Sequence, residues 1–292
     1  MAHTGFMTIG DIPDDFINVV KEEFVQYSVA LGRLRDGDAV PYLPLGSGVF
    51  VKRRERYGIL TAHHCLHETQ VSIGKNGTDR LALMTHRSLG RVLSPNAVQE
   101  HELAGPINFG YNAFGPDITF LEILPGEELG SIKGEVSFYS LDRSAVEVKE
   151  RWSAFTTPLA HVGFPACDNI ITETSRGICH QMRHMTFMGA IAKNSVTARG
   201  GWDYLETGVT YADSNTKLPE HFDGVSGGPI WALVIKKAPS GALSTEDFAL
   251  VGITFWQTKH IGNQCVIRGH FIDSIYDLAW RQLPPANEVF VG

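Results

Sequence analysis

The sequence predicts a predominantly β protein whose strands fall in two successive stretches, with a helix near each end. From Tyr42 to Leu124 short apolar runs alternate with turn residues, as in Gly48–Val51, Gly58–Thr61, Leu81–Met84 and Ile118–Ile123, and a second such series runs from about Phe155 to Val266. Thirty glycines and 14 prolines in 292 residues suit many short strands joined by turns. Helical spacing of apolar residues marks one stretch near each end of the chain.

Residues 13–31 read as a helix. Pro13 suits a first helical position, and Asp14 and Asp15 complement the positive end of the helix dipole. Phe16, Ile17, Val20, Phe24 and Tyr27 recur at helical spacing as one apolar stripe, and Gly32 is the expected stop. This pattern reads as a helix packed on the body of the protein; the alternative is a docking surface for an activating protein partner. Residues 101–116 read as a Gly/Asn/aromatic loop, residues 126–154 as a connection of mixed charge, and Lys236–Asp247 as a polar hairpin-like insertion. Residues 271–283, with Ile272, Ile275, Leu278 and Leu283 apolar, read as a closing helix. The expected organisation is therefore an N-terminal helical extension (1–35), a first β unit (36–125), a connection (126–154) and a second β unit with the closing helix (155–292).

Composition narrows the function. Apolar residues at 43% and charged residues at 20% are ordinary for a soluble globular protein. The formal net charge of -7 argues against a nucleic-acid partner, which requires a basic face. No apolar run approaches the length of a membrane span, so no membrane partner is expected. Met1 to Gly10 has no Lys or Arg and no apolar core of a signal peptide. The four cysteines contain no C-x-x-C pair, a poor pattern for zinc, and leave three disulfide pairings open. His63 and His67 are four apart, as are His180 and His184, but neither pair has the glutamate of H-E-x-x-H. They read as structural or solvent-exposed histidines, and neither a metal nor a cofactor is expected.

Three segments carry chemistry. Ser226 lies in Phe222-Asp223-Gly224-Val225-Ser226-Gly227-Gly228-Pro229. A serine hydroxyl is a poor nucleophile and needs a base within hydrogen-bond reach. It also needs donors for the oxyanion formed when it attacks a carbonyl. The glycines permit positive φ and close approach of a substrate, so the Gly224 and Ser226 amides can face one cavity. Upstream, Leu60-Thr61-Ala62-His63-His64-Cys65 follows the apolar run Tyr57–Leu60, which sets a histidine at a strand end. Between them, Gly115-Pro116-Asp117 precedes the alternating strand with Ile118, Phe120, Leu121 and Ile123. Taken alone, such an aspartate is most often a turn residue. Histidine, aspartate and serine in that chain order form one of the known orders of the hydrolytic triad.

These segments resemble those of the chymotrypsin/trypsin-like serine proteases. The histidine run is similar to Thr-Ala-Ala-His-Cys, which selects His64 as the base and leaves His63 as a packed or partly exposed neighbour. The aspartate run resembles Asp-Ile-Ala-Leu-Leu. Leu250–Gln257 resembles the strand lining the primary pocket, and His161-Val162-Gly163-Phe164-Pro165 resembles the turn opening the second barrel. The resemblance, from about Gly46 to the C-terminal helix, implies two packed six-stranded antiparallel β-barrels. It implies a catalytic set of His64, Asp117 and Ser226, an oxyanion hole of Gly224 and Ser226, and substrate contacts at Phe255, Trp256 and Gln257. Glu220, six residues before Ser226, matches the spacing of the pocket-floor acid of trypsin-like members and implies Arg or Lys specificity. Two departures stand out. Leu45–Val49 lacks the cysteine that Cys65 pairs with in secreted relatives, which favours a reducing cytosol and a cytoplasmic location. Val225 replaces the aspartate that binds a freshly cut N-terminus, so the site must be organised by other means. The expectation is a trypsin-like endopeptidase acting on protein or peptide substrates. It resembles intracellular, disulfide-poor bacterial processing or defence-associated proteases. The alternative is a protease-fold protein that binds peptides without turnover.

Overall fold

In the computed structural model, described for residues 13–35, 42–67, 79–87, 90–104, 115–152, 158–174, 177–189, 194–210, 221–238, 240–258 and 260–283, strands dominate and lie in two large sheets. The first contains β1 (Ser28–Arg35), β2 (Tyr42–Arg53), β3 (Arg56–Thr61), β4 (Asp79–Met84), β5 (Arg91–Val92), β6 (Val98–Ala104), β7 (Ile118–Ile123) and β8 (Tyr139–Ser140). Its order is β5-β4-β1-β2-β3-β7-β6, antiparallel throughout, with β8 adding a short parallel pair to β2. The second chain stretch supplies β9 (Leu159–Gly163), β10 (Asn169–Thr174), β11 (Gly177–Met182), β12 (Met185–Gly189), β13 (Asn194–Arg199), β14 (Trp202–Thr210), β15 (Pro229–Lys237), β16 (Leu243–Gln257) and β17 (Gln264–His270). Strands β10 and β11 form a separate hairpin, and the others make an antiparallel sheet ordered β12-β9-β15-β16-β17-β14-β13. The expectation of two closed six-stranded barrels is corrected here. The sheets have eight and seven strands, and among the described residues no pairing joins β5 to β6 or β12 to β13.

All four strands named from apolar alternation are present. The N-terminal helix is shorter than expected. Helix α1 spans Asp14–Val25, and the chain enters β1 at Ser28. Ser28 Oγ donates back to the Phe24 carbonyl at 2.9 Å, and Ser28–Arg35 pairs on both sides, with β2 and β4. Two ladders of sheet hydrogen bonds outweigh the helix preference of Leu31, and the β-branched Val29 favours the strand. Gly32 ends no helix. A Cβ there would sit 1.9 Å from the Tyr42 ring, so the missing side chain makes room for that tyrosine.

The apolar stripe of α1 is used up within the protein. Phe16, Val20 and Phe24 are buried in the core that lies between the sheets, and Phe24 stacks on Trp231 of β15 with centroids 4.9 Å apart. Tyr139 and Phe248 close on the same tryptophan edgewise. The docking alternative for this stripe is thereby corrected: the helix is a structural cover, and Val19 is its exposed large apolar residue.

The connecting stretch of chain holds α3 (Glu127–Lys133), then β8 of the first sheet, then α4 (Ala145–Trp152). Strands β15 and β16 form the hairpin expected around Lys236–Asp247, with Lys236 paired to Ser244. The loop expected at residues 101–116 is strand as far as Ala104, and residues 105–114 lie outside the described residues. The closing helix is a π-helical turn, Ser274–Leu278, running into a 3-10 turn, Ala279–Gln282. Asp203 of β14 caps it by accepting the amides of Asp273 at 2.9 Å and Ser274 at 2.7 Å. Arg53 of β2 donates to the Tyr276 carbonyl and lies over the Trp280 ring. The C-terminal turn therefore ties both sheets together. Cys65, Cys167 and Cys265 form no disulfide among the described residues. No helix among the described residues is long and apolar enough to cross a membrane.

Phe24→Ala removes a fully buried ring from the junction of the two sheets. It should lower unfolding free energy by about 3–5 kcal/mol in urea titration. An unchanged midpoint would mean that α1 does not contribute to the core.

Candidate active site

Strand β3 ends at Thr61, paired with Thr119 of β7 in the last rung of their antiparallel ladder. Beyond that rung the two chains run on side by side, which brings Asp117, just before β7, next to the turn His64–His67, helix α2. The carboxylate grips the histidine twice. Asp117 Oδ2 lies 2.6 Å from His64 Nδ1, and Oδ1 accepts the His64 amide at 2.9 Å. Burial alone would raise the Asp117 pKa, but the hydrogen bonds and charge of His64 outweigh it and hold the carboxyl below its usual range. Burial also opposes charge on the His64 ring. The neighbouring Cys65 sulfur and the Asp117 carboxylate outweigh that penalty and raise its pKa above the ordinary histidine value. In the neutral ring that donates Nδ1–H to Asp117, Nε2 carries the lone pair; its neighbour is Cys65 Sγ at 3.9 Å.

His63 faces the other way. It is buried, its Nδ1 lies 2.8 Å from Thr119 Oγ1, and its ring stacks on His67 at 4.0 Å. Burial, followed by the nearby His67, lowers its pKa. The packed role expected for it holds.

The serine loop is fixed by its own turn and by two outside groups. Val225 N–H donates to the Phe222 carbonyl at 2.9 Å, and Gly224, at the third position of that turn, has φ +88°. Positive φ there defines a type II turn and favours glycine. The Asp223 carbonyl accepts the Ala166 amide at 2.7 Å. In a trans peptide the N–H points opposite to the C=O, so the Gly224 amide faces away from Ala166. Neither it nor the Ser226 amide has an acceptor among the described residues. Ser47 of β2 holds the other side. Its amide donates to the Ser226 carbonyl at 2.7 Å, and its hydroxyl donates to the Gly224 carbonyl at 2.6 Å while accepting from Phe164 N–H at 2.9 Å. The Cys65 thiol, one residue from His64, also reaches the Ser226 carbonyl at 3.4 Å. The structure thus brings the serine loop against the histidine turn, although Ser226 Oγ makes no hydrogen bond among the described residues.

Val225 is buried among Met185, Phe187, Phe222, Cys265 and Ile267. An apolar side chain fills the space on the inner side of the loop.

The residues expected to contact substrate divide. Phe255 is bulged out of register between Thr254 and Trp256, and its ring is buried against His270 at 4.6 Å. Its side chain is core packing, so a substrate contact at this position falls to the backbone of the strand. Trp256 is half-buried against the cluster of Ala62, Cys65, Tyr204 and Phe255. Gln257 accepts the Phe222 amide at 2.9 Å and contacts His260 at 3.1 Å, so it braces the entrance to the serine loop. Glu220 lies outside the described residues.

Two residues escaped sequence reasoning. Ser47 had a local signal, because Gly46-Ser47-Gly48 is a small-residue run inside an apolar strand. His270 had none. It ends β17, 153 positions from Asp117, yet its Nε2 accepts the Asp117 amide at 3.0 Å. Its proton must then sit on Nδ1, which is buried without a partner among the described residues.

No protein-family model matches this sequence, and no curated protein does. Among solved structures, one described as "Aromatic interactions drive the coupled folding and binding of the intrinsically disordered Sesbania mosaic virus VPg protein" aligns at 14% identity. The alignment covers 97% of this chain and 96% of that chain with a TM-score of 0.41. A likeness of that strength carries no argument for this chain.

Burial pushes the pKa of His270 down to about 3, against an ordinary 6.5. Below pH 6.5 the unfolded chain takes up a proton that the folded state refuses until about pH 3. Stability is therefore full above that window and falls as pH drops through it, by at most about 1.4 kcal/mol per pH unit for this histidine. His270→Gln keeps an acceptor for the Asp117 amide and removes the titration. Urea midpoints taken between pH 4 and 7 should depend on pH less steeply in this variant; an equal slope would refute the buried neutral ring.

Proposed function

We propose that this protein is a serine endopeptidase of the chymotrypsin-like kind, with the two antiparallel sheets as the halves of its body. The observation that carries the reading is the double grip of Asp117 on His64 beside a loop that offers two unpaired amides around Ser226. A structural histidine needs no such orientation, and a bland surface turn needs no clamp on its carbonyls.

In this reading Ser226 Oγ attacks the substrate carbonyl carbon and its proton passes to His64 Nε2. Asp117 holds the tautomer and stabilises the imidazolium. The new oxyanion accepts from Gly224 and Ser226 N–H. Collapse of the intermediate breaks the C–N bond, and the departing amine takes the proton from His64. Water, deprotonated by His64, then releases the acid and restores Ser226. Catalytic hydrogen bonds are often long without substrate and tighten on binding, so a free Ser226 hydroxyl is compatible with this cycle. The same free hydroxyl is what favours the second reading, a peptide-binding protein without turnover. Activation by a new N-terminus has no place in the proposal, since Val225 offers no carboxylate.

The intact chain should label with a fluorophosphonate, and Ser226→Ala should abolish labelling and lower peptide turnover by on the order of 10⁴-fold or more. His64→Ala should be comparably damaging and His63→Ala far less so. Wild-type labelling after Ser226→Ala would overturn the nucleophile, and the reverse histidine order would move the base. Absence of labelling in the intact wild type would favour the binding protein.

Ser47 acts only through the loop carbonyls it holds. Ser47→Ala should slow labelling by about tenfold to a hundredfold, less than the roughly 10²–10³ lost with an oxyanion donor itself. Peptide KM should be nearly unchanged, because the loss falls on the transition state. A rise in KM with normal kcat would assign Ser47 to substrate binding instead.

A further inference from the structure

Beside the triad, on the far side of the histidine turn, lies a second group of chemistry-bearing side chains that the hydrolytic cycle does not use. His63 and His67 are joined by one helical hydrogen bond, His67 N–H to the His63 carbonyl at 3.3 Å, which stacks their rings at 4.0 Å. Glu100 comes from β6, separated from β3 by β7. Its Oε1 lies 2.6 Å from His67 Nε2. One ligand atom from each of the three residues lies within 4.8 Å of the others. We propose that His63, His67 and Glu100 bind a divalent cation of the zinc class.

Two imidazoles and one carboxylate form a donor set suited to a borderline ion such as zinc rather than to calcium or magnesium, which prefer oxygen throughout. Zinc bonds to nitrogen and oxygen are about 2.0–2.2 Å long, which spaces ligand atoms roughly 3.3 Å apart around the ion. Reaching that spacing requires shifts of about an ångström. The His67 and Glu100 side chains can supply them, since they are 37% and 24% exposed. The more rigid ligand is already oriented. Thr119, fully buried on β7, holds Nδ1 of His63, which leaves Nε2 to ligate. A metal-binding histidine whose other nitrogen is fixed by a neighbouring group is the usual arrangement. Glu102 lies two residues from Glu100 on the same strand and adds negative charge near His63. Solvent beside His67 and Glu100 leaves a fourth position for water. Residue spacing alone could not find this site, because the histidine pair lacks its third ligand until β6 and β7 fold beside it.

The test does not depend on Ser226 chemistry. Tag-free, chelator-treated full-length protein carrying Cys167→Ser, so that the exposed thiol cannot bind metal, is titrated with zinc by calorimetry and with cobalt(II) by visible absorption. One equivalent should bind, with a cobalt spectrum of low coordination number. His67→Ala and Glu100→Gln should each weaken binding at least about tenfold, and Thr119→Val about 10–100-fold through loss of the orienting bond. Absence of one-equivalent binding would overturn the site. So would binding undiminished in both His67→Ala and Glu100→Gln.

Discussion

Ser47 is the joint on which the site depends. It is a fully buried polar residue on a strand of the first sheet, and each of its polar groups is spent on a different neighbour. The amide and hydroxyl hold two carbonyls of the serine loop, the hydroxyl accepts from Phe164, and the carbonyl accepts the Thr61 hydroxyl at 2.7 Å. Buried polar groups must be paired, so the cost of leaving any one open ties the histidine strand, the serine loop and the start of the second sheet together. The flanking glycines are part of the same device. A Cβ on Gly46 would lie 2.4 Å from Cys65 Sγ and 2.8 Å from the Ser226 carbonyl, and one on Gly48 would lie 2.4 Å from Ile59. Close approach of strand and loop requires both positions to be bare.

Beneath the histidine turn, Asp117 is supported in the same way. Its carboxylate is satisfied by His64 and its amide by His270, and the His270 ring is walled in by Phe255 and Tyr204. Low dielectric strengthens the pairing of Asp117 with His64, and an uncharged His270 supplies an acceptor without introducing a competing charge. Phe255, the residue whose sequence context pointed to substrate, helps to build that dry floor.

On the inner side of the serine loop the structure has an apolar plug where a carboxylate-bearing loop would need a cation. Val225 is one of a cluster of seven buried residues, and the loop's carbonyls accept from Ala166, Ser47, Cys65 and Thr254. Hydrogen bonds supplied by the folded body require no cleavage to form.

Much of this was readable from local patterns. Alternating apolar residues marked β2, β3, β4 and β7, and the glycines around Ser226 marked a loop with positive φ, because side-chain alternation and φ preference are properties of near neighbours. The approach of His64 to Asp117 could be anticipated from chain order and family resemblance, not from spacing. Local pattern misled at Tyr27–Leu31, where helical spacing continued but pairing with β2 and β4 made a strand, and at Gly32, whose bareness serves Tyr42. Only the tertiary structure decided that Ser47 meets Gly224, that His270 meets Asp117 and that Glu100 meets His67. Those contacts join residues far apart in the chain, and their energies depend on burial and sheet order that no window of sequence contains.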